Sequence, residues 1–196
     1  MHRKITSFQI CLIAMAVCLN VAGAQIALVL RLPILLDSIG SILTGALMGP
    51  WFGLIPSLLS GIILGMTVDI YSLYFAPAGM LVGLMAGLLF KHHTVSKSRL
   101  LWQAGFVTFP SAVVSAFICY GLFGGVTSSG SAILVQILGQ TPVGLFFSTL
   151  LVQIVTEWID RGIGLFLVIC VVQAMPSQLR SRLKGGWEHG RAGRTI

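Results

Sequence analysis

The residues best suited to chemistry in this sequence are a few charged side chains set inside or beside long apolar runs. They are Asp37, Asp69, Glu157, Asp160 and Arg161. A charged side chain is costly in hydrocarbon and is kept there when it faces protein, water or a ligand. Asp37 has an equally good structural interpretation, as a charge near a helix N-terminus that favours the helix dipole and snorkels to the membrane interface.

Catalysis finds little support in the sequence. It contains no HExxH motif, no nucleophile elbow, no Walker loop and no histidine inside an apolar run. The four cysteines lie in apolar runs without CxxC spacing and are interpreted as small apolar residues. An intramembrane enzyme would need a facing nucleophile and base, and no convincing pair is present. We therefore expect that this chain is not an enzyme and that it binds no cofactor or metal.

Composition indicates an all-α integral membrane protein. The 196 residues are 56% hydrophobic and 9% charged, with a mean hydropathy of +0.97, which is too much apolar surface for a soluble core of this size. The net charge of +7 does not indicate a nucleic-acid partner, because the basic residues lie at the two ends and in one short loop. We expect one membrane domain, residues 1–178, and a basic cytoplasmic tail, residues 179–196.

The apolar runs predict a bundle of six membrane-spanning helices. These lie at about residues 5–30, 34–48, 52–68, 74–90, 101–123 and 159–176. Pro33 indicates that the second span begins near Ile34, with Asp37 in its first or second turn. Residues 143–175 would form about 50 Å of helix, more than one crossing requires. We therefore expect a break beside Glu157 and Asp160, with residues 131–158 forming helical pieces outside the membrane or re-entering it.

With six spans, both termini lie on one side of the membrane. The basic residues of the N-terminus, of the loop after the fourth span and of the tail then share that side, which the positive-inside rule makes cytoplasmic. They are Arg3, Lys4, Lys91, Lys97, Arg99, Arg180, Arg182, Lys184, Arg191 and Arg194.

The same topology gathers four of the five carboxylates at the extracellular end, together with aromatic rings. The candidate substrate-binding residues are Asp37, Asp69, Tyr71, Tyr74, Glu157, Trp158, Asp160 and Arg161. Flat apolar faces combined with acceptors suit a small heteroaromatic ligand, and the acid surplus disfavours an anion. Asp160 and Arg161 can neutralise each other, which leaves the other carboxylates as the stronger candidates. The alternative for the aromatic residues is an interfacial belt.

Small residues recur at helical spacing in three spans. Those of spans three and four are Gly61, Gly65, Gly79, Gly83 and Gly87, and we expect them to let helix backbones pack closely. In span one Ala14 and Cys18, with Ala16 on an adjacent row, form a similar ridge. Internal packing and a partner-docking face are both open for that ridge.

Four stretches together resemble one family over about residues 8–178. They are LPILLDSIGSILTGALMGPWFG, SLYFAPAGMLVGLMAGLLF, GGVTSSGSAILVQILG and EWIDRGIGLFLVICVV. They are similar to the membrane-embedded substrate-binding S component of energy-coupling factor (ECF) vitamin transporters, in the subgroup linked to hydroxymethylpyrimidine and pyridoxine.

The resemblance implies a six-helix bundle in the bacterial cytoplasmic membrane, with a binding pocket near the extracellular side closed by loops. It also implies assembly with a transmembrane coupling subunit and two cytoplasmic ATPases, which would use ATP and Mg²⁺. In that family an Ala-x-x-x-Ala motif of helix one docks on the coupling subunit. The matching positions here are Ala14 and Cys18, where cysteine replaces alanine, with Ala16 as the adjacent fallback.

The sequence leaves two alternative functions open. One is an S component for another vitamin, such as riboflavin, pantothenate or cobalamin. The other is a stand-alone secondary transporter coupled to protons through Asp37 or Glu157.

Overall fold

A computed structural model describes residues 6–92, 99–125, 127, 130–140 and 144–175. Within these residues 87% of the chain is helical and no strand occurs. The helices are α1 (Ser7–Val29), α2 (Ile39–Met48), α3 (Pro50–Thr67), α4 (Ile70–His92), α5 (Leu100–Phe123), α6 (Ser131–Gly139) and α7 (Leu145–Ala174). The prediction of an all-α protein is confirmed.

The helices have the length and composition of a membrane protein. Helices α1, α3, α4 and α5 are each long and apolar enough to cross a bilayer, and α2 is a shorter apolar helix. Helix α7 is the longest, with 30 residues, and carries three charged residues near its middle. Most of the basic residues behind the predicted orientation, including Arg3, Lys4, Lys97 and the tail, lie outside the described residues.

Helix α2 begins later than predicted. Residues 30–38, here named the 30–38 segment, are not helical, and Arg31 and Leu36 have positive φ angles of 50° and 52°. Asp37 therefore precedes α2 rather than lying in its first or second turn, and the prediction of a helix from Ile34 is wrong. The 30–38 segment includes Pro33, and neither Pro33 nor the residue before it favours helical continuation.

The buried start of α2 is satisfied by α1. The amide N–H of Gly40 donates to Asn20 Oδ1 at 2.8 Å, and Asn20 Nδ2 donates to Ser41 Oγ at 2.8 Å. A Cβ on Gly40 would lie 2.0 Å from the carbonyl oxygen of Ala16, so the start of α2 lies against the middle of α1. Helix α2 is central to the bundle, because it contacts α1, α3, α4 and α7.

Glycines bring α3 and α4 into backbone contact. Gly49, with a φ of 105°, forms the sharp turn into α3, which begins at Pro50. A Cβ on Gly83 would lie 1.9 Å from the carbonyl oxygen of Gly53, which leaves no room for any side chain. The five predicted packing glycines all lie at this contact. The pairs across it are Gly61 with Ala76, Gly65 with Leu73, Gly79 with Ser57, Gly83 with Gly53 and Gly87 with Pro50. The two helices run antiparallel.

Helix α7 is unbroken, which contradicts the predicted break beside Glu157 and Asp160. It runs from Leu145 to Ala174, so the last long helix begins well before residue 159. Among the described residues of the range 131–158, α6 is the only separate helical piece. The break was expected because charges in mid-helix would face lipid. Instead they face the protein, where Asp160 and Arg161 are each 4% exposed and Glu157 is 8% exposed.

Candidate functional site

A cavity lies inside the bundle, between the 30–38 segment and the middle of α7. Its lining also includes residues of α1, α3, α4, α5 and α6. Its volume is about 80 Å³, several times the minimum of about 10–15 Å³ that a cavity needs to hold one water molecule. That space suits one small ring with short substituents.

Arg161 is the centre of the polar lining. Its Nη1 donates to Ser38 Oγ at 2.6 Å and to Asp37 Oδ1 at 3.3 Å, and it also pairs with Asp160. Its Nη2 lies 3.7 Å from Glu157 Oε2. One guanidinium thus faces three carboxyl groups, two from its own helix and one from the 30–38 segment.

Asp160 fastens the 30–38 segment to α7 by a second contact. Its Oδ1 accepts a hydrogen bond of 2.9 Å from the backbone N–H of Leu36. Non-helical backbone inside a membrane bundle needs such partners, because lipid offers none. The Asp160 and Arg161 contacts therefore hold one wall of the cavity in place.

Glu157 lies deep in the bundle between α7 and α5. Ser111 Oγ lies 2.7 Å from Glu157 Oε2, and the hydroxyl of Ser115 also hydrogen-bonds this carboxyl group. Ser111 is at the middle of α5, and Glu157 is near the middle of α7. The prediction that Glu157 and Asp160 stand at the outer start of the last span is therefore wrong, since both lie about halfway along it.

Asp69 combines a structural contact with a place in the cavity wall. Its Oδ1 accepts from the backbone N–H of Ser72 at 2.8 Å and from Ser72 Oγ at 2.9 Å, which is the geometry of a helix cap for α4. Asp69 and Tyr71 both line the cavity. The Tyr71 ring packs edge-on against Phe123, with 4.7 Å between ring centroids.

Tyr74 and Trp158 are not among the residues that line the cavity. Tyr74 is 46% exposed and packs against Phe123 at 5.4 Å. Trp158 is half-exposed, and its Nε1 donates to the carbonyl oxygen of Leu101 at 3.0 Å. The predicted site thus divides, with six of its eight residues at the cavity and these two on the outside of the bundle.

Sequence reasoning missed the uncharged polar lining. These residues are Ser57, Ser60, Ser72, Ser115, Thr127, Ser131, Gln153 and Thr156. A usable signal was present, because Ser111 and Ser115 are one helical turn apart in an otherwise apolar run, as are Ser57 and Ser60. Polar residues repeated on one face of a membrane helix mark the side that faces protein or a cavity.

The cavity carries a formal surplus of negative charge. Asp37, Asp69, Glu157 and Asp160 line it together with one cation, Arg161, which gives −4 + 1 = −3 if all are ionised. Within the described residues Arg161 Nε has no hydrogen-bond partner, although the side chain is buried. The lining therefore holds more carboxyl groups than one guanidinium can neutralise.

The predicted docking ridge of α1 is only partly exposed. Ala14 and Cys18 are exposed, so they are available to lipid or to another protein. Ala16 is fully buried against α2, where the absence of a side chain on Gly40 makes room for it. Ala16 is therefore excluded from an external docking face.

Comparisons of this chain with protein-family models, with curated proteins and with solved structures gave no match. In the part of the chain that the structure describes, no three His, Cys, Asp or Glu side chains are arranged to hold a metal ion.

Proposed function

We propose that this chain is the substrate-binding membrane subunit of an ECF-type importer of a small water-soluble vitamin or vitamin precursor. The observation that carries the proposal is the internal cavity, in which a buried Arg161 faces Asp37, Glu157 and Asp160. Such a cluster is costly to bury, and stability alone gives little reason to keep it, since well-packed apolar residues often do as well. A ligand that needs these groups supplies a reason.

The size and charge of the cavity favour a small heteroaromatic ring. A cavity of about 80 Å³ favours a ligand of one ring over a corrinoid or a three-ring flavin. The acidic lining disfavours an anion such as pantothenate, and the Tyr71 and Phe75 rings offer apolar faces. Hydroxymethylpyrimidine and pyridoxine meet these conditions. Both are ligands linked to the protein subgroup that the sequence resembles.

Transport in this proposal depends on partners. The chain would cross the bacterial cytoplasmic membrane six times, with both termini inside, as α1, the 30–38 segment with α2, α3, α4, α5 and α7. The exposed Ala14 and Cys18 of α1 would dock on a transmembrane coupling subunit, and two cytoplasmic ATPases would supply the energy. Coupling then requires that the ligand and the partners prefer different orientations of the same bundle.

Binding to the purified chain tests the proposal. Calorimetric titration with hydroxymethylpyrimidine and with pyridoxine should give one site for at least one of them, and Glu157→Gln should weaken it. Trp158→Phe is a matched control, because Trp158 is on α7 next to Glu157 but outside the cavity, and it should leave the Kd unchanged. Binding of riboflavin, pantothenate or cobalamin instead would refute the choice of ligand.

A second candidate is a stand-alone transporter driven by protons, which the surplus of carboxyl groups around Arg161 favours. Uptake of the ligand by cells distinguishes the two candidate functions. Cells that express this chain without the coupling subunit and the ATPases should not accumulate the ligand if the chain is an S component. Accumulation that persists and collapses with a protonophore would establish the second candidate.

A further inference from the structure

The charge balance around Arg161 bears on the protonation of its carboxyl neighbours. Asp37, Glu157 and Asp160 share one guanidinium, so three ionised carboxylates would leave a net charge of 1 − 3 = −2. Asp160 and Glu157 are 4% and 8% exposed. A buried charge without a compensating partner is costly, and such a group usually becomes neutral instead. One of the three should therefore carry a proton.

Asp160 and Asp37 are poor candidates for that proton. Asp160 accepts from Arg161 and from the backbone N–H of Leu36, and both donors favour an ionised carboxylate. The Asp37 side chain is 32% exposed, so it is not a fully buried charge, and it pairs with Arg161 Nη1 at 3.3 Å.

Glu157 is the carboxyl group that pairs most weakly with Arg161. Its distance to Arg161 Nη2, 3.7 Å, is longer than a hydrogen bond. Ser111 Oγ lies 2.7 Å from Glu157 Oε2 and 2.9 Å from the carbonyl oxygen of Thr108, yet a hydroxyl has a single hydrogen to donate. Both contacts are complete when the Glu157 O–H donates to Ser111 and Ser111 donates to Thr108.

We propose that Glu157 holds a proton in the ligand-free cavity and transfers it to a basic ring nitrogen of the ligand on binding. The O–H bond of Glu157 breaks, the lone pair of the ring nitrogen takes the proton, and a carboxylate faces a ring cation. The charge of cavity plus ligand does not change, and no proton is exchanged with solvent. The transfer step rests on the proposed function, whereas the protonation of Glu157 does not.

The other groups around the cavity are consistent with this transfer. Among the described residues, the charged groups that act on Glu157 are Asp160 and Arg161 of α7 and Asp37 of the 30–38 segment. Asp69 also lines the cavity, and the α5 groups that hydrogen-bond Glu157 are the hydroxyls of Ser111 and Ser115. The surplus of carboxylates stabilises a cation. The site should therefore prefer a ring that carries a basic nitrogen.

Infrared spectroscopy of the ligand-free protein tests the protonation. We expect a carbonyl stretch from a protonated carboxyl group at neutral pH, which Glu157→Gln removes and Asp69→Asn retains. Asparagine still caps a helix, so Asp69→Asn is a matched control in the same cavity. If Glu157→Gln does not fold, Ser111→Ala serves instead, because losing the hydrogen-bond acceptor should shift the band. A missing band, or one that neither variant changes, would overturn the proposal.

Ultraviolet difference spectra of bound hydroxymethylpyrimidine test the transfer. At a pH where the free ring is neutral, we expect the bound ring to show the spectrum of its protonated form. In Glu157→Gln the bound ring should stay neutral and bind about ten- to hundredfold more weakly, the usual loss of a hydrogen bond to a charged group. A neutral spectrum in the unmodified protein would refute the transfer. If this probe does not bind, the choice of ligand fails, and the infrared result still decides the protonation.

Discussion

Removal of the Arg161 guanidinium should destabilise the bundle more than removal of any other cation in the described part of the chain. The change Arg161→Ala deletes the hydrogen bond to Ser38 at 2.6 Å, the pair with Asp37 at 3.3 Å and the pair with Asp160. At about 1.5–3 kcal/mol for each hydrogen bond to a charged group, the gross loss is roughly 5–9 kcal/mol. Protonation of Asp160 and entry of water into the cavity recover part of it. We expect a net loss of about 3–5 kcal/mol, the usual cost of breaking a buried ion pair.

Reversible unfolding in mixed micelles measures this free energy. Arg99→Ala is the matched control, because Arg99 is exposed at the start of α5, and its loss should change the free energy of unfolding by less than about 0.5 kcal/mol. Adding Asp160→Asn to Arg161→Ala should restore part of the stability, because no uncompensated carboxylate then remains beside Leu36. A loss below about 1 kcal/mol for Arg161→Ala, or no recovery in the double variant, would refute the reasoning.

Three further predictions concern packing, the start of α2 and docking. Gly83→Ala should lower the free energy of unfolding by about 1–3 kcal/mol, because the new Cβ has no room beside Gly53. Gly121→Ala should leave the free energy of unfolding unchanged or raise it slightly, because the space around Gly121 is open. Asn20→Ala should cost about 1–3 kcal/mol in the same assay, because it leaves the buried amide of Gly40 without an acceptor. Ala14→Trp should preserve the Kd measured by calorimetry but abolish uptake in cells that contain the partner subunits. Equal melting of the two glycine variants, a stable Asn20→Ala, or normal uptake by Ala14→Trp would each contradict the corresponding argument.

The helical fold was predictable from the sequence because its cause is local. Long apolar runs predict helices, and glycines four residues apart predict close helix contacts, as at Gly83 against Gly53. The start of α2 was not predictable in the same way. It depends on Asn20, a residue of another helix that satisfies the amide of Gly40. No local pattern contains that contact.

The expected break in α7 shows a different limit. Each charge alone is costly in lipid, which favours a position of Glu157, Asp160 and Arg161 at the membrane surface. Asp37 and Ser38, more than 100 positions earlier in the chain, supply partners for Arg161 instead. The cost of placing a charge in lipid correctly marks these three residues as unusual. Their position in the middle of the bundle, however, depends on a pairing between segments that are distant in sequence.

The candidate site was predictable in its charges and incomplete in its neutral lining. Asp37, Asp69, Tyr71 and the three charged residues of α7 all line the cavity. Trp158 was included because it is adjacent to Glu157 in sequence, yet neighbouring residues on a helix point about 100° apart, and its ring lies on the outside against Leu101. Ser115 was missed because a serine costs little in a membrane helix and gives only a weak signal.

A native mass spectrum of the chain, purified gently from membranes of cells that supply vitamins and their precursors, tests the central claim most directly. The claim is that the cavity beside Arg161 captures a small heteroaromatic molecule. We predict a population heavier than the bare chain by one such molecule, which disappears in Glu157→Gln and persists in Trp158→Phe. A spectrum with only the bare chain and lipid adducts, unchanged after addition of hydroxymethylpyrimidine or pyridoxine, would contradict the account.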